Sequence, residues 1–137
     1  MANYQNIVAA CRSACPANSR FIHGRFADFS QSYTGLYPLI TLLPFTITDA
    51  RSTPDGVFDS AQIVVGFWQQ DRPDTTPEER EALIAEMDTL SDQFINNLLD
   101  SPAVKLSSIQ KEPQYRMFQA TLSGFAVSFT INLVSPC

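Results

Sequence analysis

The sequence points to a single α+β domain. It predicts a mainly antiparallel sheet, with a short amino-terminal helix and one long central helix packed on one face. Three observations carry this reading. Residues 77–99 place an apolar stripe at helical spacing behind a capping box. Residues 125–133 alternate strictly between apolar and small or polar side chains. The remaining apolar runs follow one another in hairpin-like succession, in a chain of 137 residues that suits one domain.

The elements follow in order. Ile7, Val8, Ala10 and Cys11 fall at helical spacing, and Pro16 stops the turn, so a helix is expected over residues 3–14. Residues 20–30 read as an imperfect strand with a possible bulge at Gly24. Residues 38–48, PLITLLPFTIT, read as an edge strand or as two pieces bent at Pro44. DARSTPDG, residues 49–56, is a loop by composition. Residues 57–70 form a strand whose unbroken run from Ile63 to Trp68 predicts cover on both faces.

The helix over residues 77–99 starts with Thr76 as cap, Pro77 in the first turn and Glu79 closing the capping box. Leu83, Met87, Leu90, Phe94 and Leu98 make its apolar stripe, and Pro102 ends the segment. The tail predicts strands over 104–111, 115–122 and 125–134. Ser123-Gly124 reads as a two-residue hairpin turn between the last two, with one long strand kinked at Gly124 as the competing reading.

Composition limits what the chain does. Apolar residues make up 45% and charged residues 17%, a low charge fraction that predicts apolar surface covered by another subunit. The net charge of −5 argues against phosphate neutralisation as a mode of binding nucleic acid. Arg12, Arg20 and Arg25 form one local basic cluster, and Lys105, Lys111 and Arg116 another. No run of ~20 apolar residues spans a bilayer, and the first residues lack the pattern of a signal peptide. The expectation is a protein made and kept in a cytoplasm, with no membrane partner.

The residues that carry chemistry are few. His23, the lone histidine, lies near Asp28, but on a strand the two point to opposite faces. Cys11, Cys15 and Cys137 with His23 match no standard zinc spacing, so free thiols acting as small hydrophobes are expected. No serine sits in a GxSxG elbow and no glycine-rich phosphate cradle occurs. Asp49, Asp55, Asp59, Asp71 and Asp74 lack the alternation of a calcium loop and read as solvated turn carboxylates. The expectation is no catalytic residue, no cofactor and no metal. Aromatic side chains interleaved with arginine, as in residues 20–30, suit a protein interface.

The order of elements resembles the tail-terminator and head-to-tail connector proteins of tailed bacteriophages. The segments HGRFADF (23–29), YPLITLLPF (37–45), IVVGFWQQDRPDTTPEEREALIAEMDTL (63–90) and LSGFAVSFTINL (122–133) are similar to small tail-completion proteins. The resemblance implies a non-enzymatic virion protein: a homo-oligomeric ring, often a hexamer, at the neck or top of the tail. It also implies tail-tube and connector proteins as partners, host cytoplasm as the place of assembly, and DNA only as cargo passing a lumen. On that reading Arg20, His23, Arg25, Asp28, Trp68, Tyr115 and Arg116 are the candidate subunit-interface residues. A small monomeric binding or adaptor protein of phage or host cytoplasm is the alternative.

Overall fold

The computed structural model describes residues 3–17, 19–24, 38–53, 56–71, 75–102, 104–116 and 122–135. Among the described residues, two helices, α1 (Asn3–Ala14) and α2 (Pro77–Leu99), accompany six strands. These are β1 (Arg20–His23), β2 (Leu39–Leu42), β3 (Ile47–Thr53), β4 (Gly56–Gln70), β5 (Val104–Arg116) and β6 (Leu122–Ser135). The α+β architecture expected from the sequence is present, in one sheet ordered β1-β2-β4-β6-β5 with β3 also paired to β4. All pairings are antiparallel except β1 with β2.

Both helices occupy their expected spans because their local signals are strong. In α1, Ile7, Val8, Cys11 and Ala14 are buried along one face. At the start of α2 the Glu79 amide donates to Thr76 Oγ1 over 3.2 Å, and the Thr76 amide donates to Glu79 Oε1 over 3.4 Å. The buried line of α2 is Ile84, Met87, Ser91, Phe94 and Leu98. Leu83 and Leu90, expected in that line, are half-buried on its flank. The helix is rotated so that Ser91 meets the core, which its hydroxyl tolerates by donating to the Asp88 carbonyl over 2.6 Å.

The core lies between the helices and one face of the sheet. Alternate residues of β4 (Ala61, Ile63, Val65, Phe67) and β6 (Val127, Phe129, Ile131, Leu133) pack there against α1 and α2. Phe67 meets Phe94 edge-to-face, with ring centroids 5.3 Å apart. Asn97 Nδ2 donates to the Ala14 carbonyl over 2.9 Å and ties the helices together.

Four expectations meet their outcome in the sheet. First, of the two readings of residues 38–48 the structure has the two pieces: β2 pairs with residues 65–68 of β4 and β3 with residues 56–61, on the same side. Pro44 lies in the break between them, where it owes no ladder hydrogen bond. Second, residues 49–53, expected in a loop, belong to β3, which runs until Thr53 pairs with Gly56. Pairing to β4 overrides their loop-like composition. Third, the chain itself covers β4 with helices on one face only. Both helices pack on one, and on the other Gln62 is exposed and Val64 is 38% exposed. Fourth, Ser123-Gly124 is not a turn, and the strands expected over 115–122 and 125–134 are replaced by the longer β5 and β6. Gly124 lies inside β6 opposite Trp68, where an added Cβ would run into the Phe67 carbonyl oxygen. The glycine serves a close backbone approach.

Of the strand expected over 20–30, β1 accounts for Arg20–His23, and residues 25–30 lie outside the described residues.

Candidate functional site: the open face of the sheet

The face turned away from the helices carries a groove of about 650 Å³. Its position follows from the register. Ile22 pairs with Thr41, Thr41 with Gly66, Gly66 with Ala126 and Ala126 with Glu112, one row across five strands. Small residues, Gly66, Ala126 and Ser128, make the floor. Trp68, Thr41 and Leu43 rise on one side, and Gln110, Glu112 and Gln114 on the other. A second hollow of about 370 Å³ shares Val64, Gln110 and Ser128 and continues the trough.

Trp68 shapes one wall. Its indole lies over Gly66, where any Cβ would collide with Nε1, and Nε1 donates to Thr41 Oγ1 over 2.8 Å. Leu39, Trp68 and Leu122 form a small second core on this face, with Ile22 and Leu43 against it. The apolar body of the tryptophan thus contributes packing while its polar edge is satisfied. Trp68 is only 3% exposed. Its expected role as an interface anchor is limited to the little surface it offers at the groove.

Charge is divided between the two faces by an irregularity in β5. The register shifts between Ser107 and Gln110, and Ser108 has a φ of 56°. Before the shift Val104 and Leu106 face the helices; after it Lys111 pairs with Val127 on that side. The Lys111 ammonium binds Asp88, and Asp92 over 2.8 Å, and lies 5.6 Å from the Phe125 ring centroid. Burial pulls the Lys111 pKa down, but the two carboxylates outweigh it and hold the group above the ordinary lysine value. Glu112 is left on the open face.

The other interface candidates separate. Arg20 is exposed. His23 is half-buried on the helix side, with Nδ1 donating to the Leu42 carbonyl over 2.8 Å and Nε2 accepting from the Tyr4 hydroxyl over 2.7 Å. Tyr4 in turn stacks on Phe45 at 4.3 Å. Both ring nitrogens of His23 are thus engaged within the chain, where they join α1 to β1 and β2. Arg12 lies 5.2 Å from the Phe21 ring centroid. Arg25 and Asp28 lie outside the described residues, and only the backbone of Tyr115 and Arg116 is described, at the end of β5.

Asp71 overturns its expected place among solvated turn carboxylates. It is 2% exposed and accepts from Arg80 Nε over 2.8 Å and from Ser123 Oγ over 2.6 Å. Burial alone would raise its pKa, yet the hydrogen bonds from Arg80, Ser123 and Thr75, with the Arg80 charge, hold it below the ordinary aspartate value. The partners come from the start of α2 and of β6, so no local motif marked the residue. Burial pushes the Cys11 and Cys15 thiols up to about 12, as expected for thiols that pack and do not react.

Among the described residues, no three His, Cys, Asp or Glu side chains stand together as a metal site. No described helix is long and apolar enough to cross a membrane. The groove offers apolar contact, hydroxyl and amide hydrogen bonds, and one carboxylate. No family model and no curated protein matches the chain.

Proposed function

We propose that the chain is a structural subunit of a phage virion, forming a homo-oligomeric ring at the neck or top of the tail. In this reading the ring, a hexamer by resemblance, joins tail tube to head connector, and DNA passes through it as cargo. The role requires no catalytic group or cofactor. The observation that carries the reading is the one-sided sheet: helices bury one face, while the other holds a trough with Val64 at 38% exposure. Ile109 at 43% exposure, near the β5 irregularity, extends the apolar surface toward an edge. Leu99, the third exposed large apolar side chain among the described residues, lies at the end of α2 at 48% exposure; the apolar surface on the open face and its edge suits a contact surface.

Light scattering coupled to size-exclusion chromatography, with negative-stain imaging, tests the proposal. The expected result is a closed ring with a mass that is an integer multiple of the protomer. A monomer at every concentration, with and without purified tail-tube protein, would overturn it. The trough also supports a second reading, a monomeric adaptor, because its volume lies within the roughly 300–1,000 Å³ of ligand pockets. The monomer outcome would favour that reading.

A further inference from the structure

Resting on the ring reading, we infer that subunits join head to tail across opposite rims of the open sheet face. Glu112 of one copy receives Arg20 of the next. Both charges belong to that face. Arg20 pairs with Leu39 and Leu39 with Trp68, and Leu39 and Trp68 pack together in the open-face cluster. Arg20 is two residues from Ile22, which joins the same cluster, so the two share a face by strand alternation. Glu112 pairs with Ala126 and lines the groove.

The two groups cannot satisfy each other within one molecule. β1 and β5 are the first and last strands of the sheet path. Four strand spacings of about 4.8 Å put them ~19 Å apart, beyond the joint reach of the two side chains. Neither has an ion-pair partner among the described residues. Lys111 does not neutralise Glu112, because its ammonium is taken up by Asp88 and Asp92 on the helix side. Lys105, seven residues before Glu112, stands ~20 Å away along the strand. A contact joining like rims would bring Glu112 toward Glu112; one joining unlike rims pairs opposite charges. Unlike surfaces in contact generate a ring when the rotation closes. Val64 and Ile109 on the acidic side, and half-buried Ile22 on the basic side, supply the apolar part.

A charge swap tests this. Glu112→Arg, Arg20→Glu and the double variant are compared with wild type by sedimentation velocity over a concentration series, with circular dichroism confirming the fold. Each single reversal is expected to raise the concentration needed for assembly by about tenfold or more, and the double variant to bring it back to within about threefold. The fluorescence of Trp68, the only tryptophan, at the groove wall should shift with concentration in wild type but not in Glu112→Arg. Wild-type assembly unaffected by either single reversal overturns the contact and leaves the ring reading standing. Failure of the double variant to recover overturns the pairing of these two residues. A wild-type monomer overturns the ring reading and the contact with it.

Discussion

Gly66 and Gly124 show how single positions decide the shape of this sheet. Each lacks room for a side chain, but the obstacles differ. At Gly66 the obstacle is the Trp68 indole, which has somewhere to go. At Gly124 it is the Phe67 carbonyl oxygen, part of a strand held on both sides. Gly66→Ala is therefore expected to cost about 1–3 kcal/mol. It should also displace the indole and break its hydrogen bond to Thr41, with a change in Trp68 emission. Gly124→Ala is expected to cost more, because backbone gives less readily than a side chain. Urea titrations followed by fluorescence and by far-ultraviolet circular dichroism check both; equal losses would show that the Phe67 strand yields as easily as the indole. In sequence, Gly124 sits beside Ser123 and has the composition of a turn. Its close approach depends on a strand more than fifty residues earlier, which composition does not reveal.

The helices were legible because their signals are local. The Thr76 and Glu79 pair, Pro77, and the terminators Pro16 and Pro102 act within a few residues of the ends that they define. Thr76→Ala should accordingly cost about 1 kcal/mol, read as a lower thermal midpoint, while Thr76→Ser should keep most of the stability. An unchanged midpoint for Thr76→Ala would mean that packing alone fixes the end of α2. The strands were less legible. Residues 49–53 become a strand through pairing with residues 56–60, and the phase of β5 changes at Ser108 without a Gly or Pro to mark it. Of the face proposed for interaction, Arg20 was legible as an exposed cation near aromatics. Glu112 was not, since the register shift decides which face it takes.

The molecule as a whole is stitched at one end by Asp71, which links the end of β4 to the starts of α2 and β6. Its pKa is depressed in the folded chain. It therefore contributes stability that is fully present above the ordinary aspartate range near pH 4 and is lost as pH falls toward the folded value. Asp71→Asn should lower stability at pH 7 by roughly 2–4 kcal/mol, since it leaves Arg80 largely buried without a counter-charge. The loss should shrink as the medium is acidified, because wild type then loses the same contribution. Chemical denaturation at pH 7 and at stepwise lower pH measures both; a difference that does not change with pH would place the effect in packing instead of charge. The pair at Ser108 and Ile109 has another kind of reach. Between the pairings of Ser107 with Thr130 and Gln110 with Ser128, two residues of β5 stand against the single Phe129. A chain shorter by Ser108 would keep every pairing on either side and turn Ile109 inward opposite Phe129. This spot acts as an expansion joint: the extra residue is absorbed here, and the ladder on either side keeps its pairing to β6.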